Sequence, residues 1–409
     1  MKILWLNNFA IPAIAEEIGL PIVPVGGWLT GCLNNLVDFE EVELVIVLPR
    51  NIRNGVIKGI TGALRYFAFY QKKPSLYKYD SKLEIVFKEI VNEIKPDIVH
   101  IWGTEYSMSL AMMNAFNKPF NTVVFIQGLI SACAKHYYSG LPANVVNNYS
   151  FRDLLLRDNI KQQAIKFNKR GDFEIQTLKK SVHVLGRTDW DKAFINIINP
   201  NARYYKCNET LRDIFYQNEW CVQNCERHTI FMSQGWYPIK GLHFMLEALI
   251  EIRKRYPDVR LRLAGSDRKN RDFRSRLRIS YYEKYLFKII KENHLEENID
   301  FLGVLDDKKM NQNYLRCHVF ALPSSVENSP NSLGEAMLLG MPCVAADVGG
   351  VSTLLTHREE GFLYPFDEPN MLAYYICRIF AEDDIAIEIG KNARIHAKKT
   401  HDARSNAEN

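Results

Sequence analysis

No apolar run in this chain approaches the roughly 18 residues that cross a bilayer, so membrane-spanning helices are not expected. The opening Met1-Lys-Ile-Leu-Trp-Leu-Asn-Asn8 is apolar too briefly for an export signal and reads as a first β-strand, which places the protein in the cytoplasm as an expectation. Charge of one sign is scarce: 52 Lys and Arg against 47 Asp and Glu leave a formal net charge of +5, which permits anionic substrates or lipids and does not call for nucleic acid. The eight cysteines (32, 133, 207, 221, 225, 317, 343 and 377) are scattered. Cys221 and Cys225 lie near His228, but no second close pair completes a zinc knuckle, so reduced, mostly buried thiols and no metal are expected. The chain has no G-x-G-x-x-G, no Walker-type loop, no H-E-x-x-H and no recognisable Ser-His-Asp order. Short-period repeats and low-complexity tracts are missing as well.

What is present is a long, ordinary globular composition. A chain of 409 residues with 47% hydrophobic and 24% charged residues is too large for one core and points to two domains. Short apolar runs recur throughout: 2–6, 44–48, 98–101, 122–126, 182–185, 202–205, 229–233, 260–264, 299–302, 319–322 and 343–346. Many are apolar without alternation, as strands covered on both faces should be. Helical patterns at 83–94, 242–255 and 333–339 fall between them. This alternation predicts an α/β chain of parallel, doubly wound sheets. The series restarts at Thr229 after the polar stretch 217–228, so the expected domains are 1–225 and 226–385, two Rossmann-like units facing a cleft, followed by a helical tail, 386–409.

The richest segment is Pro323-Ser-Ser-Val-Glu-Asn-Ser-Pro-Asn-Ser-Leu-Gly-Glu335, closing at Gly340-Met-Pro342. Pro330 suits a first helical turn and Gly340 a stop, so a helix starts between Glu327 and Glu335. Its free backbone N–H groups, two carboxylates and hydroxyls suit a ligand with phosphate and sugar hydroxyls. The plainer reading is a capping box, Ser332-x-x-Glu335, with Glu327 a solvated carboxylate. Gly26-Gly27 is either a tight turn or a close approach to phosphate. Lys240-Gly241 opens the helix 242–255, where a cation opposes the macrodipole unless an anion binds. Asp347-Val-Gly-Gly350 follows the strand 343–346, so three sites converge on one sheet edge. Val56–Tyr70 reads as an amphipathic helix with Val56, Ile60, Ala63, Phe67 and Tyr70 on one face and basic residues opposite, packed on the sheet or lying on a membrane. The cluster Arg268–Arg278 reads as a solvated face. His100 and His136 lie near predicted strand ends and are either structural or catalytic.

Glu327–Glu335 resembles the E-x7-E signature of retaining glycosyltransferases of family 4, which have the GT-B fold. The resemblance extends through Gly26-Gly27, Lys95-Pro-Asp-Ile-Val-His100, Phe231 to Gly241, Ala264-Gly-Ser266, Phe301-Leu-Gly303 and Asp347-Val-Gly-Gly350. Ile126-Gln-Gly-Leu129 and Leu185-Gly-Arg-Thr-Asp-Trp190 look like bacterial capsule and exopolysaccharide enzymes. The resemblance implies that Lys240 binds the donor diphosphate, Glu335 the ribose hydroxyls and Glu327 a hydroxyl of the donor sugar. It also implies that amides around Asn331, Ser332 and Leu333 hold phosphate and sugar, and that Gly27, with Gly26, approaches from the first domain. No cofactor or metal is implied; the donor is a UDP-, GDP- or dTDP-sugar and the acceptor a glycan or lipid-linked oligosaccharide, with peripheral membrane contact.

The chain departs from the family pattern in four places. Gly235 stands where many members carry arginine, and Arg187 is the candidate substitute cation in the donor site. Gln127 stands where a histidine is usual, and His136 is its candidate replacement in the acceptor pocket. Thr353 replaces a usual glutamate, and the chain ends soon after His401. The function implied is retaining sugar transfer in bacterial surface-polysaccharide synthesis. The alternatives are a nucleotide-sugar 2-epimerase and a catalytically silent nucleotide-sugar-binding partner.

Overall fold

The structure, a computed structural model, describes residues 1–20, 27–36, 41–51, 55–71, 77–265 and 278–408. Two compact units divide the chain. The first gathers Met1–Ala134, Lys166–Thr210 and the tail from Asp402; the second gathers Lys135–Ile165 and Leu211–His401.

The first unit is built on eight strands: β1 (Lys2–Leu6), β2 (Glu43–Arg50), β3 (Ile57–Thr61), β4 (Leu64–Tyr70), β5 (Ile98–Trp102), β6 (Thr122–Phe125), β7 (His183–Gly186) and β8 (Arg203–Lys206). They lie in the order β3-β4-β2-β1-β5-β6-β7-β8, parallel except for β3. Successive residues feed two separate cores. Leu4, Leu6, Val45, Val47, Phe67 and Phe69 pack on one face, and Trp5, Ile46, Leu48, Tyr66 and Ala68 on the other. That double coverage is why the strands read as unbroken apolar runs.

The segment Val56–Tyr70 corrects the sequence reading. It is not an amphipathic helix but a hairpin, β3 antiparallel to β4, with Gly62 at the turn at a φ of +58°. The aromatic alternation of β4 satisfies both faces of the sheet at period two, whereas Ile60, on the supposed apolar helical face, is exposed. A basic membrane helix is therefore absent from these residues.

The second unit carries β9 (Thr229–Met232), β10 (Arg260–Ala264), β11 (Ile299–Gly303), β12 (Val319–Leu322), β13 (Cys343–Ala346) and β14 (Phe362–Tyr364). All pair in parallel, in the order β11-β10-β9-β12-β13-β14. The chain builds outward from β9 one way through β10 and β11, then returns to its other side with β12. The β9–β12 pair is therefore the switch point of the sheet, where open α/β sheets leave room for a ligand at the carboxyl ends.

The division differs from one at residue 225. The chain leaves the first unit after Thr210 because residues 211–228, polar in appearance, are fastened to the second sheet. The backbone N–H of Trp220 donates to the Leu339 carbonyl at 2.7 Å, and its indole N–H donates to that of Cys317 at 2.8 Å. Residues 135–165 also join the second unit, through the packing of helix Ala143–Asn147 on helix Tyr281–Glu292. The tail splits: helix Asp383–Thr400 packs on helix Asn331–Leu338, while helix Ala403–Glu408 packs on helix Gly27–Leu36 in the first unit. All eight cysteines are free thiols, with Cys317 and Cys343 buried and the other six only partly so.

Hairpin and helix make opposite predictions for Gly62→Ala. In a helix the change would stabilise by about 1 kcal/mol. At a positive φ it should instead lower the unfolding free energy by about 1 kcal/mol in denaturant titration.

Candidate functional site

Three chain segments meet at the carboxyl edge of the second sheet, around the switch point. After β9 the chain makes a single 3-10 turn, Pro238–Lys240, and enters helix Leu242–Arg255 through Gly241. Gly241 sits at a φ of +69°, and a Cβ there would fall on the carbonyl oxygen of Pro323, the residue that follows β12. No other residue type allows both the left-handed turn and this approach. The Ser325 N–H donates to the Ile239 carbonyl at 2.9 Å, which ties the second loop to the first. The Gly350 N–H donates to the Glu327 carbonyl at 3.1 Å, which adds the loop after β13.

This backbone frame sets Lys240 against Glu327. The ammonium donates to Glu327 Oε1 at 2.5 Å, and the same oxygen accepts from the Ser324 hydroxyl at 2.7 Å. Both side chains are partly buried, so each charge is largely answered by the other rather than by water. The Tyr237 ring lies 5.8 Å from the ammonium. Two helices start beside this pair, Leu242–Arg255 from Gly241 and Asn331–Leu338 from Pro330, and neither of these N-cap residues has a side chain that can cap.

Glu335 has a different partner from the one a capping box needs. The helix Asn331–Leu338 is entered from Pro330, so Ser332 and Glu335 both lie inside it. The buried Glu335 carboxylate takes a two-pronged grip from Arg212, with Nε donating at 2.8 Å and Nη2 at 2.7 Å. Arg212 also pairs with Asp307 at 2.5 Å. Burial opposes the charge on Arg212, but the Glu335 and Asp307 carboxylates outweigh it and hold the guanidinium pKa above its ordinary value. On Glu335, burial raises the carboxyl pKa and Arg212 offsets part of that rise. The capping reading of Ser332 and Glu335 is thus replaced by an ion pair.

The remaining sequence candidates fall in several places. Leu333 donates its N–H to the Pro330 carbonyl at 3.0 Å, within the first helical turn that Asn331 and Ser332 open. The Ser332 carbonyl accepts from the Tyr314 hydroxyl at 2.9 Å. His136 lies in the second unit, exposed, and its carbonyl accepts from the Ser325 hydroxyl at 3.2 Å. Arg187 is buried in the first unit, paired with Glu209 at 2.7 Å and donating to the Gln127 carbonyl at 2.6 Å. Gly27 opens a helix in the first unit, and Gly26 lies outside the described residues, as does nearly all of Arg268–Arg278. His100 is stacked on Trp102 at 4.2 Å, and burial pushes its imidazole down to about 3, which leaves it neutral. Gly235 abuts Leu242 and Leu263, with no room for a larger side chain unless they shift. Among the described residues no group of His, Cys, Asp and Glu side chains is arranged to hold a metal ion, and no helix is long and apolar enough to cross a membrane.

Sequence reasoning missed Arg212, Ser324 and Tyr237. Ser324 lies inside the segment Pro323–Glu335 but was given no contact of its own, and Tyr237 lies three residues before Lys240; a carboxylate beside a hydroxyl or a ring beside a lysine could have flagged them. Arg212 is 123 residues from Glu335 and carried no local signal.

Residues 223–396, which contain the whole second sheet, match the family of glycosyl transferases group 1. Among curated proteins, an uncharacterized glycosyltransferase of Haemophilus influenzae is 26% identical over 229 residues, 51% of this chain and 57% of that protein. The chain spans at most 57% of the length of such curated relatives and, for a D-inositol 3-phosphate glycosyltransferase of Corynebacterium urealyticum, 37%. Two solved structures share the architecture over nearly the full length. Sucrose-phosphate synthase from Thermosynechococcus elongatus superposes with a TM-score of 0.73 at 16% identity, covering 99% of this chain and 96% of that one. Anabaena HepE, solved in complex with UDP and glucose, gives 0.66 at 19% identity, covering 100% and 97%. Likeness at such identities shows the fold: two parallel-sheet α/β domains, as in the GT-B glycosyltransferases.

The Arg212–Glu335 pair makes an asymmetric prediction. Arg212→Ala strands a buried carboxyl and should cost about 3 kcal/mol of unfolding free energy. Glu335→Gln keeps the shape and part of the hydrogen bonding and should cost about 1 kcal/mol. Chemical denaturation of the two variants checks the order, and equal costs would contradict it.

Proposed function

We propose that this chain is a glycosyltransferase that moves a sugar from a nucleoside-diphosphate donor to a glycan or lipid-linked acceptor, with retention at the anomeric carbon, in surface-polysaccharide synthesis. One observation carries the reading: the Lys240–Glu327 ion pair stands beside two helix starts at the switch point of the second sheet. A diphosphate is the ligand that such a place favours. It meets a lysine and backbone N–H groups, and the positive ends of two helix dipoles favour its charge.

The pair gives the proposal a mechanism of exchange. Glu327 offsets the ammonium at the mouth of helix Leu242–Arg255. An arriving diphosphate takes over that role with greater charge, and Glu327 turns its oxygens to a hydroxyl of the donor sugar. As the bond to the sugar breaks, negative charge grows on the leaving diphosphate, where Lys240 and the helix amides already stand. The leaving phosphate then helps to remove the proton of the attacking hydroxyl on the same face. Glu327 and Glu335 are not an acid and nucleophile couple in this account, because Glu335 is engaged by Arg212. Glu335 holds the helix Asn331–Leu338 in place and offers the ribose only the oxygen lone pairs that Arg212 leaves. HepE was solved with UDP and glucose, which makes a UDP-hexose the first donor to try.

A second reading, nucleotide-sugar binding without turnover, draws on Gly235, whose apolar neighbours Leu242 and Leu263 supply no cation. One experiment separates the two. Calorimetric screening of UDP-, GDP- and dTDP-sugars should find one donor that binds, and slow hydrolysis of it should release sugar of unchanged anomeric configuration by NMR. Lys240→Ala should weaken nucleotide binding at least tenfold with the fold intact, the loss of one well-placed charge contact. Binding without hydrolysis supports the second reading, and unaltered affinity in Lys240→Ala refutes both.

A further inference from the structure

A strip of apolar side chains in the second unit faces solvent although the rest of its helix is firmly held. The short helix Phe151–Leu156 is anchored on its polar side. Ser150 and Asp153 form a capping box, and the buried Asp153 carboxylate also accepts from the backbone N–H of Tyr281 at 2.7 Å. With Asp153 turned inward, Phe151 and Leu155 project the opposite way, and Leu154 shares their side at helical spacing. Phe151 is 61% exposed, Leu154 63%, Leu155 74% and Leu156 55%. Tyr149, just before the helix, is exposed too. This is an amphipathic helix turned inside out, and its orientation is fixed by a buried carboxylate.

The charge around the strip is positive. Arg152 takes both nearby acids, Asp153 at 3.0 Å and Asp158 at 3.2 Å. Arg157, in the left-handed residue that ends the helix, and Lys161 in the next helix are exposed and make no ion pair among the described residues. An aromatic and two leucines beside unpaired cations are what an anionic bilayer surface binds: rings and alkyl chains enter the headgroup–acyl boundary while the cations meet phosphates.

We propose that residues 149–161 form an interfacial contact with an anionic lipid bilayer, with Phe151, Leu154 and Leu155 inserted and Arg157 and Lys161 on the headgroups. A second copy of this chain fits less well. Three side chains expose on the order of a few hundred Å², short of the roughly 800 Å² per partner that stable interfaces bury. A two-fold contact through the strip would also set Arg157 and Lys161 near their own copies. The inference stands apart from the donor site, since lipid binding is measured without nucleotide.

The test is co-sedimentation of the full chain with phosphatidylcholine vesicles and with equimolar phosphatidylcholine–phosphatidylglycerol vesicles. The chain should pellet with the anionic vesicles and be released by salt. The combined change Phe151→Ser, Leu154→Ser, Leu155→Ser should lower the partition coefficient at least tenfold, the scale of apolar area withdrawn from water. Arg157→Gln with Lys161→Gln should weaken binding to the anionic vesicles and flatten its salt dependence. All five positions are exposed, so an unchanged melting temperature is the control for folding. Binding to neither vesicle overturns the proposal, as does a triple variant that pellets like the parent chain. A concentration-dependent dimer in sedimentation velocity, lost in the triple variant and unaccompanied by vesicle binding, would assign the strip to a second copy instead and equally overturn it.

Discussion

The contact between Lys240 and Glu327 is the interaction around which the second unit is arranged. The partly buried Lys240 ammonium opposes the dipole of the helix it precedes, and the Glu327 carboxylate answers it. Their meeting depends on backbone features that involve neither side chain: a left-handed Gly241 pressed on Pro323, the Ser325-to-Ile239 bond and the Gly350-to-Glu327 bond. Three loops from three neighbouring strands are thus locked at one sheet edge before any ligand arrives. A site preorganised in this way loses little freedom on binding, which is the condition for fixed charges to act strongly on a bound group.

Two arginines, one in each unit, are satisfied differently, and the contrast is informative. Arg212, partly buried, and Arg187, buried, each bind a buried carboxylate of their own unit, Glu335 and Glu209 respectively. Replacing either partner leaves the other charge buried, so these pairs fix local structure. Lys240 reaches Glu327 on a flexible stem, and the carboxylate oxygen it meets also accepts from Ser324. A stronger anion can displace Glu327 there with little rearrangement. The difference between a planar two-pronged guanidinium grip and an ammonium on a flexible stem separates scaffold from binding group.

Much of the fold was legible because short apolar runs alternating with helical patterns point to parallel strands, and all eleven runs became strands. The hairpin β3–β4 was not, because Val56, Ile60, Ala63, Phe67 and Tyr70 happen to satisfy helical spacing while the aromatics at 66, 67 and 69 serve two sheet faces. β14 spans only Phe362–Tyr364, too short to register as a periodic segment. Of the candidate site, the residues lying within recognisable local motifs were named: Lys240, Glu327 and the helix start at Asn331. What escaped were partners brought in from afar, Arg212 above all, and the attachment of residues 135–165 to the second unit. No local pattern encodes a pairing across more than a hundred residues, since it is decided by packing rather than by propensity.

The central claim is that Lys240 and Glu327 part company to grip a nucleotide sugar. The direct measurement is a pair of crystal structures of the chain, one without ligand and one with UDP bound. The account predicts a hydrogen-bonded Lys240–Glu327 pair in the first, and in the second a Lys240 ammonium on the diphosphate with Glu327 beyond hydrogen-bonding reach of it. A UDP molecule bound elsewhere, with the pair intact, would contradict it.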